Sequence, residues 1–450
     1  SLDRIPLDRP IMNTMDHLLA LAPQPAETLP DKARALALIS LFDWLLCGRA
    51  GINEPVAIKL RAFADAEGLS GASSLFGGDM APPRMAAMVN GAISHALDYD
   101  DTHFDHVGHL SVGIYPAALA VGEEVNASVT EVADAFLVGA EAAIRIGCIL
   151  GAAHYNRGFH QTATAGAFGA TIAAARLRKL APDQLRNALG LCASRAAGLK
   201  SQFGTMGKPL NAGYSAANGV ETTALAALGL TSADDGIMGV QGFVPTHTDE
   251  IDEQSAWVDA PPEQFRFLRN SYKFHACCHG THAMIEALAT LRQEHQINPQ
   301  EVSAIELRTN PRWLSVCNIA APRTGLEVKF SYAWLAGMVF HEIPTADDRV
   351  YDDALASDPL LRDLGRKVTV VGDGEVGDQQ AFGTLRTTSG AILPFAHDLA
   401  KQPSIEALNT RLEAKAHALL STEVAQLLAL RDRFNTATAK DLGMYMRTGR

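Results

Sequence analysis

Apolar residues recur at three- and four-residue steps through the first half of the chain, which is the spacing of one face of an α-helix. The pattern is clear in residues 31–48, where it stops at Gly48. Small residues on every face of the segments that follow predict tightly packed helices and one helical domain. These further predicted helices cover residues 82–98, 164–180, 183–199 and 212–229.

The pattern changes near residue 265. Helical residues there alternate with segments in which every second residue is apolar, as in β-strands. This mixture predicts a smaller α+β domain over residues 268–395. The helical pattern then returns, so residues 1–267 and 396–450 are predicted to form an all-α domain, and the fold class is mainly α. The strand candidates are residues 301–309, 367–373 and 382–390.

The most apolar segment, residues 132–153, carries three charged residues, Asp134, Glu141 and Arg145. Glu141 and Arg145 are four residues apart and can pair on one helix face. We therefore expect a buried helix here rather than a membrane span.

Composition narrows the range of functions. The chain has 450 residues, enough for two or three domains. Its net charge of −12 argues against nucleic acid or an acidic membrane surface as the main partner, so an anionic substrate would need a local cluster of cations. The six cysteines show no disulfide spacing, and residues 1–10 lack the apolar core of a signal peptide. Both features predict a reduced, cytoplasmic protein.

Residues 95–111, "HALDYDDTHFDHVGHLS", contain four histidines and four aspartates. Asp98 is predicted at the C-terminal end of a helix, where the negative end of the helix dipole disfavours a carboxylate and makes it a better base. The next helix is predicted to begin near Tyr115, so His109 and Ser111 would lie just before a helix N-terminus, where free N–H groups bind anions. The loop is a candidate acid–base site; the alternative is a solvated polar loop.

Two alternatives concern metal and thiol chemistry. His103, His106 and His109 are spaced by three, as metal-binding histidines on a helix can be, but Gly108 and the missing apolar period argue against a helix here. A second cluster holds adjacent cysteines, which seldom bind one zinc ion, so we expect no metal. Either cysteine could pair with a histidine as a nucleophile, although a buried structural thiol is commoner. This cluster comprises Cys277, Cys278, His279 and His282.

Lys208 lies in a glycine-punctuated segment, "FGTMGKPLNAG". The segment is not a P-loop, because Pro209 follows the lysine and no strand precedes it. Lys208 is interpreted as a cation for a substrate carboxylate, with a plain surface charge as the alternative. Arg157 and His160 precede another predicted helix in "NRGFHQTATAG".

Six segments together resemble the MmgE/PrpD family, in the family's order and over about residues 30–415. The resemblance implies a large all-α domain, a smaller α+β lid domain, a homodimer, and an active site between the domains. It also implies chemistry without a metal or organic cofactor. The segments are "HALDYDDTH…GHLS", "GFHQTATAGAFGA", "GTMGKPLNAGYSAANG", "YKFHACCHGTHAMIEA", "TGLEVKFS" and "PSIEAL…K".

The resemblance assigns roles to single residues. Asp98, Thr102 and His109 match the family's D-x-D-D-T and downstream histidine positions. The G-F-H histidine, the lysine of G-T-x-x-K-P and the lysine that opens the lid segment correspond to His160, Lys208 and Lys273. Three places depart from the pattern. His275 replaces a proline, and the usual H-P-S reads His109-Leu110-Ser111 with one extra residue before it. Trp334 stands where cis-aconitate decarboxylases have a tyrosine, so Tyr332 is the substitute candidate.

The family's reactions remove a proton from, or return one to, a carbon next to a carboxylate of a small polycarboxylate. The base would be His109 or Asp98, and cations at the carboxylate would stabilise the enediolate. The further catalytic candidates are His160, Lys208, Lys273, His275 and His279. The substrate-binding candidates are Thr102, Ser111, Arg157, Lys208, Lys273, Cys277 and Tyr332.

The first expectation is an epimerase of the iminodisuccinate type acting on a small di- or tricarboxylate. The alternatives within the family are a hydro-lyase of the 2-methylcitrate type and a lyase of the cis-aconitate decarboxylase type. Outside enzymes, the same cations could serve a non-catalytic polycarboxylate-binding protein.

Overall fold

The computed structural model describes residues 12–68 and 70–447. The N-terminal decapeptide, on which the expectation about a signal peptide rests, lies outside the described residues. The chain divides into two compact units. The first contains the residues up to Asn270 and those from Glu423 onward, and the second is Ser271–Thr422.

The first unit is helical. Its longest helix, Val129–Arg157, packs along Gln161–Arg178. A Cβ atom on Gly139 would lie 2.4 Å from the carbonyl oxygen of Gly169, so the two helices touch backbone to backbone as the small residues predicted. The helices are Thr14–Leu21, Asp31–Ala50, Pro55–Glu67, Pro83–His95, Ser111–Glu124, Val129–Arg157, Gln161–Arg178, Pro182–Ala193, Gly207–Ala227, Phe243–His247, Glu253–Ala256, Val424–Arg431 and Ala439–Arg447; two short strands, Ser73–Ser74 and Met80–Ala81, pair with each other.

The helix Val129–Arg157 is long and apolar enough to cross a membrane, but 83% of its most apolar stretch is buried inside the protein. Glu141 and Arg145, both fully buried, form the expected i,i+4 ion pair at 2.7 Å. This helix is therefore the core of the first unit.

The second unit mixes helices with a four-stranded sheet, in the order Val368–Gly372, Val302–Thr309, Gln380–Thr387, Ile392–Asp398. The first two strands are parallel and the remaining neighbours are antiparallel. The alternation predicted for residues 301–309 is confirmed, because Val302, Ile305, Leu307 and Thr309 are buried. The helices are His282–His295, Gly325–Val328, Tyr332–Phe340, Asp353–Ala356, Pro359–Gly365 and Ile405–Leu420.

The boundary at the end of the second unit differs from the expected residue 395. The helix Ile405–Leu420 belongs to this unit, since Arg411 pairs with Glu286 at 2.5 Å and lies over the ring of Phe274. The strand Ile392–Asp398, which the sequence pattern did not indicate, also crosses the expected boundary.

Three predicted helix ends are wrong in ways that affect the site. The helix expected to begin near Tyr115 begins at Ser111, because the carboxylate of Asp101 accepts hydrogen bonds from the Ser111 N–H at 3.1 Å and its hydroxyl at 2.6 Å. The helix expected at residue 212 begins at Gly207, so Lys208 lies in a first helical turn. The helix predicted over residues 82–98 ends at His95.

Candidate functional site

Two histidines of residues 95–111, His95 and His109, converge on one carboxylate, that of Asp100. Its Oδ1 lies 2.8 Å from His95 Nδ1, and its Oδ2 lies 2.8 Å from His109 Nδ1. All three residues are buried. Burial alone would raise the pKa of Asp100, but the charges and hydrogen bonds of His109 and His95 outweigh it and lower that pKa, so Asp100 is a carboxylate.

Asp98, Lys208 and His109 form the part of this cluster that water reaches. Lys208 Nζ lies 2.9 Å from Asp98 Oδ1, and His109 Nε2 lies 3.5 Å from the same oxygen. The side chain of Asp98 is 42% exposed and that of Lys208 is 18% exposed. The backbone supports this arrangement, since Asp98 leaves the preceding helix with a φ of 52°. A carboxylate, an ammonium and an imidazole therefore meet at one accessible point.

His160 stands just before the helix Gln161–Arg178 and is buried. Asn211 Nδ2 donates to its Nδ1 at 3.2 Å and also to the carbonyl of Leu199 at 3.3 Å. Burial, followed by the nearby His95, holds the pKa of His160 well below its ordinary value. His160 is thus a neutral imidazole whose Nδ1 accepts, which places its proton on Nε2. Its ring meets that of Phe203 edge-on at 5.0 Å.

Three residues of the first unit that were predicted to bind substrate, Ser111, Arg157 and Thr102, differ in their burial and in the partners of their polar groups. Ser111 is 1% exposed and donates hydrogen bonds to Asp101 from both its N–H and its hydroxyl, and its role in substrate binding stays a prediction. Arg157 is paired with Asp249 on the surface. Thr102 is half-buried in the turn that carries Asp101.

His275, predicted as a catalytic group of the second unit, is held at both ring nitrogens. Its Nδ1 lies 2.6 Å from the hydroxyl of Thr345 and its Nε2 lies 2.7 Å from Glu286 Oε1. Glu286 is largely buried, yet hydrogen bonds and charge from His275 and Arg411 lower its pKa to about 2. Both ring nitrogens of His275 are therefore engaged by neighbours within the second unit, and its catalytic role stays a prediction.

Cys277 and Tyr332, predicted as substrate-binding residues, are both buried and bonded to neighbours in the second unit, and their binding roles stay predictions. Burial raises the pKa of the Cys277 thiol to about 12, and its sulfur lies 3.1 Å from the hydroxyl of Thr281. The hydroxyl of Tyr332 donates to the carbonyl of Gly280 at 2.8 Å, and the residue is 1% exposed. Neither side chain can present a reactive group to solvent without repacking.

Lys273 and His279 remain candidates in the second unit. They are 3% and 8% exposed. The ring of His279 lies 4.7 Å from that of His282, whose pKa burial holds well below its ordinary value. Their roles stay predictions.

Donor atoms of His95, Asp98, Asp100 and His109 all lie within 4.8 Å of one another, a spacing that a metal ion could bridge. The chemistry of the donors fits protons better. Both oxygens of Asp100 lie 2.8 Å from imidazole Nδ1 atoms, and the ammonium of Lys208 already lies against Asp98. The expectation of no metal stays a prediction.

The three histidines spaced by three do not share a site. His103 Nε2 lies 2.8 Å from the carbonyl of Arg266, and His106 Nδ1 lies 3.2 Å from that of Ala143. Each ring thus contacts a carbonyl of the core, and the His106 N–H donates to His103 Nδ1 at 3.3 Å, while His109 alone of the three lies at the cluster around Asp100.

The sequence did not indicate His95, Asp100 and Asn211. For His95 and Asp100 the one available signal was their position inside the motif that contains Asp98.

Asn211 also lines a cavity of about 750 Å³ in the first unit, together with Gly198, Leu199, Arg84, Arg195 and Tyr214 among others. A residue in the wall of that cavity, Asn211, is thus hydrogen-bonded to His160.

Comparison with known proteins matches both parts of the chain. The MmgE/PrpD N-terminal domain matches residues 21–254, and the MmgE/PrpD C-terminal domain matches residues 275–426. A cis-aconitate decarboxylase of Aspergillus terreus (strain NIH 2624 / FGSC A1156) is 27% identical over 368 residues, which are 76% of this chain and 75% of that protein. Proteins of the same name from Mus musculus and Homo sapiens are 27% identical over 273 residues (58% of this chain, 54% of that protein) and 32% identical over 154 residues (33% and 32%).

Proposed function

This chain belongs to the MmgE/PrpD family, and from that premise we propose that it is a lyase that removes a carboxyl group from a small unsaturated polycarboxylate. The relatives named cis-aconitate decarboxylase make cis-aconitate the leading candidate substrate. The observation that carries the proposal is the accessible cluster of Asp98, Lys208 and His109. It brings together a cation for a substrate carboxylate and groups that exchange protons.

Substrate binding would begin at Lys208. Its pair with Asp98 is partly exposed, so an incoming carboxylate can take the place of Asp98 at modest cost. A charge-assisted hydrogen bond from the ammonium then fixes one end of the substrate beside His109. The neutral His160 adds an Nε2–H donor in the same unit.

Decarboxylation breaks one carbon–carbon bond and releases CO2, while the bonding electron pair stays on the remaining carbon. A cation at the neighbouring carboxylate stabilises that charge. The carbanion then takes one proton, for which His109 and Asp98 are the candidates. The product is an unsaturated dicarboxylate, and no electrons leave the system.

The epimerase expected first receives no support from the relatives, which carry a decarboxylase name. It also needs a second proton donor on the opposite face of the substrate. His275, one of the expected donors, is occupied by Thr345 and Glu286. The lyase is therefore the better proposal.

The test is proton and carbon NMR of candidate substrates with the purified protein in D2O. We expect cis-aconitate to lose CO2 and its product to contain one new deuterium at carbon, with His109→Asn slowing the reaction by about 10²–10⁴-fold. An unchanged cis-aconitate, with deuterium exchange and inversion in iminodisuccinate, would restore the epimerase. Loss of water from 2-methylcitrate would identify a dehydratase, and binding without turnover of all three would identify a binding protein.

That the protein acts as a homodimer in the cytoplasm, without cofactor, remains part of the proposal. Neither the state of association nor the location enters the chemistry above, which uses groups of one chain.

A further inference from the structure

The carboxylate of Asp100 is shared between two histidines. One oxygen faces Nδ1 of His95, the last residue of the helix Pro83–His95, and the other faces Nδ1 of His109, each at 2.8 Å. The rings of the two histidines meet edge-on, with centroids 4.5 Å apart. The side chains of His95 and Asp100 are both fully buried, so water does not compete for these contacts.

This sharing determines where the ring protons are. A carboxylate oxygen and a ring nitrogen 2.8 Å apart need a proton between them, and because a carboxylate can only accept, each Nδ1 carries that proton. The His95 contact is a hydrogen bond, whereas the His109 contact is a close ion-pair approach without hydrogen-bond geometry. A neutral histidine has one ring proton, and with that proton on Nδ1 its Nε2 is a bare acceptor. In His109 the Nε2 atom faces Asp98, 3.5 Å away, in the accessible part of the cluster.

We propose that Asp100 and His95 are positioning residues that fix His109 as the Nδ1–H tautomer, so that its bare Nε2 is the atom that takes up a proton from solvent and then gives it to the substrate carbanion. His95 contributes by holding the second oxygen of Asp100, which prevents the carboxylate from turning away from His109. The kinetic consequence rests on the function proposed above; the tautomer itself does not.

The neighbouring Asp101 shows that burial alone does not create this role. Its carboxylate accepts from the N–H and hydroxyl of Ser111 and from Asn270 Nδ2 at 2.8 Å, with both oxygens engaged. It is as buried as Asp100, but these hydrogen bonds come from a serine and an asparagine rather than from histidine rings. Asp101→Asn is therefore a matched control for Asp100→Asn.

The experiment is nitrogen NMR of the full chain labelled with 15N-histidine, because ring 15N shifts distinguish the two tautomers. Spectra of His109→Gln and His95→Gln assign the signals. We expect the wild type to show both residues as Nδ1–H. An asparagine amide offers one acceptor and one donor, so in Asp100→Asn one of the two histidines must become the Nε2–H tautomer, whereas Asp101→Asn should leave both unchanged.

The kinetic arm uses cis-aconitate. We expect Asp100→Asn to lower kcat by about 10²–10⁴-fold with little change in KM, since the substrate contacts of Lys208 remain. His95→Phe, which keeps a ring in place but removes the donor, should give a smaller loss of kcat and broaden the His109 signals.

A wild-type spectrum with His109 as the Nε2–H tautomer would overturn the proposal, as would an Asp100→Asn protein with unchanged tautomers and kcat. If Asp100→Asn does not fold, the wild-type and His95→Phe spectra still decide the question. If no polycarboxylate reacts, the proposed function fails while the tautomer result stands by itself.

Discussion

The ammonium of Lys208 and the carboxylate of Asp98 form an ion pair that water reaches, unlike the buried contacts around Asp100. Exposed pairs of this kind contribute roughly 0–1 kcal/mol to stability. Such a pair can be opened by a ligand without unfolding its surroundings. At the scale of single residues, this is the difference between a group available to substrate and one used by the fold.

We therefore expect Lys208→Met to raise KM and lower kcat with little change in melting temperature. Losing a charge-assisted hydrogen bond to a substrate carboxylate should cost about 1.5–3 kcal/mol in kcat/KM. Steady-state kinetics and thermal unfolding of the variant measure the two effects. Lys59→Met, on the exposed face of the helix Pro55–Glu67, is the control and should match the wild type. Wild-type kinetics in Lys208→Met would identify the lysine as a surface charge.

His275→Gln should behave in the opposite way. Because both ring nitrogens are bonded within the second unit, to Thr345 and Glu286, the substitution should lower stability by about 1–3 kcal/mol. Turnover per folded molecule should stay within a few-fold of the wild type. Urea unfolding and turnover normalised to the concentration of active sites measure this. If turnover instead falls by about 10²-fold or more in a protein of unchanged stability, the predicted catalytic role of His275 is supported.

Sequence motifs identified Asp98, His109 and Lys208, which the structure brings within hydrogen-bonding or near-contact distance. They could not show which polar groups the fold uses. Ser111 and Tyr332 have suitable chemistry but are bonded to Asp101 and Gly280. A residue type is visible in the sequence, whereas its hydrogen-bond partner depends on segments far along the chain.

At the scale of elements, the buried ion pair of Glu141 and Arg145 on the helix Val129–Arg157 binds the backbone of the segment 256–267 through hydrogen bonds. Glu141 accepts hydrogen bonds from the backbone N–H groups of Arg266 and Phe267. The guanidinium of Arg145 donates to the carbonyls of Ala256, Val258, Asp259 and Gln264. One pair of charges thus ties the connection after residue 255 to the core helix.

Arg145→Met should destabilise the protein by about 3–5 kcal/mol, because it leaves Glu141 as a buried charge without its partner. Urea unfolding followed by circular dichroism measures the free energy. Arg84→Met removes an arginine from a pair with Glu221 that is 58% exposed on the arginine side, and should change stability by less than about 1 kcal/mol. Equal effects of the two substitutions would contradict the assignment of Glu141 and Arg145 as a structural clamp.

The spacing of apolar residues predicted which segments are helices better than it predicted the residues at which those helices begin and end. Apolar spacing reports which face is buried, and that signal survives over many turns. The start at Ser111 depends instead on a hydrogen bond to Asp101, ten residues earlier, and the helix Ile405–Leu420 pairs with Glu286 of the second unit through Arg411. Hydrogen bonds and charge pairs of this kind leave no periodic signal.

At the scale of the whole molecule, the first unit buries several histidines as neutral groups. Burial lowers the pKa of His103 to about 4, that of His106 to about 3 and that of His154 to about 4. In the unfolded chain these residues titrate near 6.5. The unfolded state therefore binds protons first as the pH falls, and the stability that these histidines contribute above pH 6.5 is lost progressively toward pH 3–4.

The free energy of unfolding should accordingly fall between pH 6.5 and pH 4, by about 1.4 kcal/mol per pH unit for each histidine that only the unfolded state protonates. His106→Gln should reduce that slope by about one such increment, because it removes a fully buried ring whose Nδ1 faces the carbonyl of Ala143. Its absolute stability can fall at all pH values, but the slope is the diagnostic quantity. His295→Gln removes the same side chain at an exposed position and serves as the control for the slope. Urea unfolding at a series of pH values gives each slope, and an unchanged slope in His106→Gln would show that this buried ring is protonated in the folded protein as readily as in the unfolded chain.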